Sequence, residues 1–305
     1  IEVSGKQGYF FEGKTNRSAP MGIAGELLLD PEANITISLM PSYNHLFEDK
    51  IFKPTTDLVN ISINTLIQEL EQGPICLTTR FEGEGINPGS IRFTSDVNHT
   101  YQSPYKLSIH SYGTEGVKIE GSLTNLGSGI IEVLAPNGGV KISAAKQDQV
   151  AHLETSGCLF IGTPKSPIKN QVSILGENNA RAALRTSGDG NLYIFAKEGV
   201  SVISDLNAPA FIHTVDGSLA INTSGPILIK GQNQSPAEIC TMGTGSLALN
   251  SLNRNKIEKI DVIGESGPAS ITTSNRASLI AIQNVLGNIT LLANKNNAFI
   301  QGGMN

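Results

Sequence analysis

Six short segments in the second half of the chain share one pattern, and this pattern restricts the possible folds more than any other feature of the sequence. Each segment begins with Ala and carries Leu or Ile at its third position, and five of the six carry Thr at their fifth. The segments are residues 151–155, 182–186, 210–214, 237–241, 269–273 and 298–302. The five steps from Ala151 to Ala298 cover 147 residues, so the repeat averages about 29 residues, a period typical of solenoid proteins.

The constant and the variable positions of these segments alternate with a period of two. This alternation predicts a strand with one buried face, because successive side chains of a strand point to opposite sides. Two further strands recur in every cycle. One carries apolar residues at 131/133, 159/161, 192/194, 219/221, 247/249 and 279/281, and the other at 140/142, 172/174, 200/202, 227/229, 260/262 and 289/291. Three strands per cycle predict an all-β fold, a right-handed three-sided parallel β-helix (a solenoid), with its handedness taken from the general rule for parallel crossovers.

The repeat divides the chain into three parts. Residues 1–57 do not fit it and are interpreted as an irregular N-terminal region for capping or assembly. Residues 58–128 are predicted to form irregular first coils with loop excursions and one short helix, and residues 129–305 to form the regular coils. The helix is placed at 64–73, because Asn64 can cap its start and Gly73 can end it.

Charge and hydropathy argue against two classes of partner. The formal net charge is -5, and no basic run with interleaved aromatic residues occurs, so we expect no nucleic-acid partner. No stretch approaches the roughly 20 apolar residues of a transmembrane helix, so we expect no membrane insertion.

Cysteine and histidine residues do not form a recognisable metal-binding pattern. The three cysteines, Cys76, Cys158 and Cys240, are too few and too scattered for a disulfide framework or a metal knuckle. The histidines are His45, His99, His110, His152 and His213. They do not share a repeat column and are interpreted as lone, solvent-facing side chains. We therefore expect no metal site and no cofactor.

Carboxylates are the remaining candidates for chemistry, since polysaccharide-cleaving β-helices need paired acids on one face. Glu154 and Glu238 occupy different columns of the repeat, several coils apart. Asp189 and Asp216 lie in successive turns, where Asp is a common turn former. The sequence therefore predicts no catalytic residue, and the protein is interpreted as not being an enzyme.

The region from Val59 to Ile142 carries a resemblance to a known family. The stretch 61–66, the Leu-Thr-Thr at 77–79 and the Gly-x-x-Ile at 116–119 resemble large bacterial surface exoproteins of the filamentous-haemagglutinin-like and autotransporter-like β-helix type. This resemblance implies a parallel β-helix, secretion and a surface role, and it carries over no catalytic residue.

The end of the chain suggests how such a rod could function. Only residues 302–305 follow the last recognisable strand, so either the sequence continues in a longer protein or a partner covers the final coil. If the partner is another copy, the contact is head-to-tail and propagates. We therefore expect a non-enzymatic extracellular structural protein, secreted or at the cell surface, which assembles into a filament or fibre. The expected interface residues are Tyr9, Phe10, Phe11, Leu291, Ala298 and Ile300.

Two alternatives remain open at this point. The first is a surface adhesin that binds a host receptor or a glycan through the loops 41–53 and 80–104. The second is a polysaccharide lyase or hydrolase.

Overall fold

The computed structural model describes residues 2–5, 15, 25, 27–31, 34–42, 45–48, 51–54, 58–79, 89–252, 256–273, 280–293 and 297–301. Within these residues the chain forms 30 strands and one α-helix. The elements up to the tenth strand are β1 (Glu2–Gly5), β2 (Leu27–Pro31), β3 (Asn34–Ser38), β4 (His45–Glu48), β5 (Ile51–Pro54), β6 (Leu58–Ser62), α1 (Ile63–Leu70), β7 (Ile75–Thr78), β8 (Ile91–Phe93), β9 (Asn98–Tyr101) and β10 (Leu107–His110).

The remaining twenty strands follow in chain order. The next ten are β11 (Val117–Ile119), β12 (Ser122–Asn125), β13 (Ile131–Leu134), β14 (Val140–Ser143), β15 (Ala151–Thr155), β16 (Leu159–Ile161), β17 (Val172–Leu175), β18 (Ala182–Thr186), β19 (Leu192–Ala196) and β20 (Val200–Ile203). The last ten are β21 (Ala210–Thr214), β22 (Leu219–Thr223), β23 (Ile227–Gly231), β24 (Ala237–Thr241), β25 (Leu247–Ser251), β26 (Ile260–Gly264), β27 (Ala269–Thr273), β28 (Ile280–Ile282), β29 (Ile289–Ala293) and β30 (Ala298–Gln301).

Three parallel sheets form the three sides of a solenoid. Side A has the order β1-β2-β7-β10-β13-β16-β19-β22-β25-β28. Side B runs β6-β3-β8-β11-β14-β17-β20-β23-β26-β29, and side C runs β9-β12-β15-β18-β21-β24-β27-β30. One strand from each side makes one layer, so β7, β8 and β9 begin a stack of layers that ends with β28, β29 and β30. The predicted three-sided parallel β-helix is confirmed.

Stacked aliphatic side chains fill the interior. Leu153, Leu184, Ile212, Ile239 and Ile271 hold the middle position of successive side C strands, and all five are fully buried. Identical spacing in each strand places these side chains above one another at the strand separation of about 4.8 Å. The period-two pattern of the sequence therefore identifies the core correctly.

A column of glycines forms the corner between sides C and A. A Cβ atom on Gly190 would overlap the carbonyl oxygen of Gly157 in the layer below, and Gly217 and Gly245 have the same relation to Gly190 and Gly217. Because the backbones of neighbouring layers approach this closely, no larger residue fits in the column without moving the chain.

The first layers are threaded out of sequence order. Strand β3 pairs with β8 on one edge and with the later strand β6 on the other, and β2 lies between β1 and β7. The chain thus passes from β6 through α1 to β7 and rises by two layers. A helix is about 10 Å wide, which equals two strand spacings, so α1 has the size needed to close side C at this height.

The helix differs from its predicted position at the start and at the end. It spans Ile63–Leu70, its N-cap is Ser62, and no side chain caps it. The expected cap, Asn64, lies inside the first turn and is exposed. Packing explains this, because Ile63 is fully buried and anchors the first turn in the core. The hydroxyl of Ser103, just after β9, donates a hydrogen bond to the Leu70 carbonyl and ties the helix to side C.

Candidate functional site at the last coil

The last layer consists of β28, β29 and β30, each paired on one edge only. Their partners are β25, β26 and β27 in the layer below. In the described part of the chain no strand lies on the opposite edges. A free strand edge presents unpaired N–H and C=O groups, and it is a template for pairing with another strand.

Apolar side chains are exposed in this layer at positions that are buried elsewhere. Ile260 and Val262 in β26 are fully buried, whereas Ile289 and Leu291, their partners in β29, are 47% and 52% exposed. Among the described residues, the other exposed large apolar side chains of this layer are Leu286 and Leu292. We call Leu286, Ile289, Leu291 and Leu292, with the edges of β28–β30, the end surface.

The residues expected at the interface are divided between this end and another region. Leu291 belongs to β29, and Ala298 and Ile300 belong to β30, where both are partly buried against the core. The other three expected residues, Tyr9, Phe10 and Phe11, lie outside the described residues.

The opposite end of the solenoid has a different construction. Among the described elements, β1 and β6 form the outer edges of sides A and B, and α1 lies at the end of side C. The helix buries Ile63, Leu66, Ile67 and Leu70 and exposes Asn64 and Gln68. On side C, therefore, the described part of this end contains a helix in the place of a strand.

The two loops assigned to adhesion have unequal structures. Within 41–53, the strands β4 and β5 pair as an antiparallel hairpin outside the three sides. Residues 80–88 of the second loop lie outside the described residues. The expectation that 80–104 is a loop is wrong for 91–93 and 98–101, because β8 belongs to side B and β9 is the first strand of side C. Val97 and Tyr101 are buried in the core and hold this segment in place.

Glu154 and Glu238, two of the acidic residues considered for sugar cleavage, do not form a pair. Glu154 in β15 and Glu238 in β24 are separated by three steps of side C, which corresponds to about 14 Å. Paired glycosidase carboxylates lie roughly 5–10 Å apart, so these two are too distant. Asp189 and Asp216 are exposed in turns.

Histidines make contacts between layers that were not predicted from the sequence. Nε2 of His110 lies 3.1 Å from Oε1 of Glu132, and Nε2 of His213 lies 3.3 Å from Oε2 of Glu238. The interpretation of the histidines as lone and solvent-facing is therefore wrong for these two, since His213 is only 8% exposed, and also for His152, whose Nε2 lies 2.7 Å from the Thr124 hydroxyl. Aligning the strands by their core residues would have revealed that each His neighbours a Glu in the next layer.

These contacts shift the protonation of the carboxylates. The hydrogen bond from His110, with a further one from Lys106, lowers the pKa of Glu132 to about 2. The His213 imidazole, together with the hydroxyls of Thr272 and Ser270, lowers the pKa of Glu238. Both carboxylates are thus held ionised by neighbours on the outer faces of the solenoid.

No group of three or more His, Cys, Asp and Glu side chains among the described residues is arranged to hold a metal ion. The single helix found among them, α1, is too short to cross a bilayer.

Comparisons with protein-family models, with curated proteins and with solved structures gave no match for this sequence. The structure shows a parallel β-solenoid, which is the architecture implied by the resemblance of residues 59–142. The comparisons do not assign the chain to a family.

Proposed function

We propose that this chain is a non-enzymatic structural protein of the cell exterior, a β-helical rod that assembles head-to-tail with further copies into a filament or fibre. The observation that supports the proposal is the end surface, where Ile289 and Leu291 occupy core positions and are about half exposed. Burying about 100 Å² of such apolar surface contributes roughly 2.5 kcal/mol. Strand pairing across the same edges adds directional hydrogen bonds.

The two ends of the rod fit one another on two of the three sides. Strand β1 is the outer edge of side A and β6 that of side B, and both run parallel to the strands of the last layer. A second copy placed on the end surface can therefore pair its β1 with β28 and its β6 with β29. On side C, α1 of the second copy would lie over β30. Because the two surfaces differ, the contact does not close on itself and further copies can be added.

Sedimentation velocity and negative-stain electron microscopy over a concentration series test this assembly. We expect fibres of constant width, and a mean length that increases with concentration. Leu291→Lys places a charge on the end surface and should weaken association at least tenfold. The matched control is Thr290→Lys, in the same strand but at an outward position in register with Asp261. A wild-type chain that remains a monomeric rod at every concentration would contradict self-assembly.

Adhesion is a second candidate, favoured by the hairpin β4–β5. The hairpin lies outside the three sides of the solenoid, so it contributes no layer to the rod. Replacing 43–56 by a short Gly-Ser linker should reduce attachment of the protein to host cells or immobilised glycans if the hairpin is the binding element. Unchanged attachment would eliminate this candidate, and unchanged fibre formation would separate it from the first.

The extracellular location belongs to the same proposal. It rests on the resemblance of residues 59–142 to secreted exoproteins and is tested separately, by fractionating the source cells and probing intact cells with an antibody against the purified chain. Signal restricted to the cell interior would contradict it.

A further inference from the structure

Three outward-facing side chains on side A form a continuous chain of polar contacts across three layers. Cys76 lies in β7, His110 in β10 and Glu132 in β13, and these strands are consecutive neighbours in the sheet. Sγ of Cys76 lies 3.6 Å from Nδ1 of His110, and Nε2 of the same ring lies 3.1 Å from Oε1 of Glu132. The imidazole therefore lies between a thiol and a carboxylate, with one ring nitrogen directed to each.

This arrangement does not suit a metal site. The thiol and the carboxylate contact opposite nitrogens of one imidazole ring, so they cannot converge on a single ion together with that ring. It does suit proton transfer. An ionised carboxylate accepts the Nε2–H of His110, which leaves the lone pair of Nδ1 directed at the thiol.

The carboxylate is fixed in its ionised form. Glu132 is 17% exposed in its side chain and also accepts a hydrogen bond from Lys106 at 2.7 Å. Together these contacts lower the pKa of Glu132 to about 2, so its carboxylate is ionised at neutral pH. The described ionisable groups in this chain of contacts are thus Cys76, His110, Glu132 and Lys106.

The same chain contains a reference cysteine with similar burial and different contacts. Cys240 is 6% exposed and Cys76 is 8% exposed. Cys240 stands in register with His213, but burial, with a smaller contribution from the Glu238 carboxylate, raises the pKa of its thiol. Sγ of Cys76, by contrast, has an imidazole nitrogen of His110 as a partner.

We propose that Cys76 is an activated nucleophile for carboxylic esters, with His110 as its general base and Glu132 as the residue that orients the imidazole. The thiol proton moves to Nδ1 of His110 while Sγ attacks the ester carbonyl carbon. The carbon–oxygen bond to the alcohol then breaks, and the leaving oxygen takes the proton back from Nδ1. The products are an S-acyl cysteine and the free alcohol, so the step acylates each chain once and involves no turnover.

Alkylation of the native protein by iodoacetamide tests the activation of the thiol. The modification of each cysteine is followed by peptide mass spectrometry at pH 7. We expect Cys76 to react at least tenfold faster than Cys240, and His110→Gln to remove this advantage. Because the two residues are equally buried, accessibility does not account for such a difference. Equal rates for Cys76 and Cys240 in the wild-type chain would overturn the proposal.

Acylation by p-nitrophenyl acetate tests the ester chemistry. We expect a burst of one equivalent of nitrophenolate per chain, lost in Cys76→Ser and retained in Cys240→Ser, with acetylation located on Cys76 by mass spectrometry. If circular dichroism shows that the wild-type chain is folded and no burst occurs, the assignment of carboxylic esters as the substrates of Cys76 is overturned.

The role of Glu132 is tested by the pH profile of Cys76 alkylation. Glu132→Gln removes the charge and should move the midpoint of the profile to higher pH, whereas Glu132→Asp should restore part of the shift. Identical midpoints for the wild type and Glu132→Gln would show that the carboxylate does not act on the thiol. The circular dichroism spectrum of each variant separates this outcome from unfolding.

Discussion

Ile289 lies directly above Ile260 in register on side B, yet Ile289 is 47% exposed and Ile260 is fully buried. The two residues have the same side chain and the same position in their strands. Their exposure differs because β29 covers Ile260, whereas no described strand covers Ile289. Ile260→Ala should lower the free energy of unfolding by about 2–5 kcal/mol, and Ile289→Ala by less than about 1.5 kcal/mol. Urea denaturation of dilute monomer measures both. Equal losses would mean that Ile289 is covered in solution.

The threonine column of side C offers a second comparison. The Thr155 hydroxyl donates to the Gly129 carbonyl at 2.8 Å and accepts from the Gly157 amide at 3.1 Å. The Thr186 hydroxyl is also buried but has no hydrogen-bond partner among the described residues. Thr155→Val should therefore destabilise the protein by about 1–3 kcal/mol, whereas Thr186→Val should be neutral or stabilising. Thermal unfolding of the two variants provides the test, and a reversed order would contradict it.

The glycine column predicts a severe effect from one methyl group. In Gly217→Ala the new Cβ would overlap the carbonyl of Gly190, so the two layers must separate locally. We expect a loss of about 3 kcal/mol or more, or failure to fold. The neighbouring exposed residue provides the control, since Asp216→Ala should change stability by less than about 0.5 kcal/mol. Comparable melting temperatures for Gly217→Ala and Asp216→Ala would contradict the close approach of Gly217 to the Gly190 carbonyl.

Acid should destabilise the protein partly through Glu132. Its pKa in the folded chain, about 2, is below the ordinary value of 4.5, so ionisation favours the folded state above pH 4.5. This contribution is lost as the pH falls from 4.5 towards 2. Since its partner Lys106 is 41% exposed, we expect a contribution of about 2 kcal/mol at pH 7.

Comparing Glu132→Gln with the wild type at pH 7 and pH 3 measures this contribution. The difference in stability should be smaller at pH 3. The control is Glu265→Gln, which removes an exposed ion pair with Lys230 and should have a smaller effect at pH 7. If Glu132→Gln lowers the free energy of unfolding equally at pH 7 and pH 3, the ionised Glu132 carboxylate does not provide the acid-sensitive contribution.

The repeat predicted the sides and the inward positions, because both follow from local alternation. It did not predict which outward residues meet, because the turns vary in length. From Leu107 to Ile131 the step is 24 residues, from Ile131 to Leu159 it is 28, and from Leu159 to Leu192 it is 33. His110 and Glu132 are therefore neighbours only once the core residues of their strands are aligned.

Strand β9 and the order of the first layers could not be predicted from local sequence patterns, for a different reason. The sequence of β9, Asn-His-Thr-Tyr, is polar at three positions and carries no aliphatic pair. Its place on side C depends on pairing with β12 and on the burial of Tyr101. The threading of β6 beneath β3 is a long-range pairing, which no pattern within either strand specifies.

That threading gives the two halves of the molecule different routes to the folded state. Every layer after β7 can form on the one before it, in the order in which a ribosome delivers the chain. Strand β6, by contrast, follows β3 in the chain yet lies beneath it, so the base formed by the described strands is incomplete until α1 has emerged. We therefore expect a nascent chain that ends before residue 70 to lack a stable end, and addition of coils to begin only after this helix has closed the base.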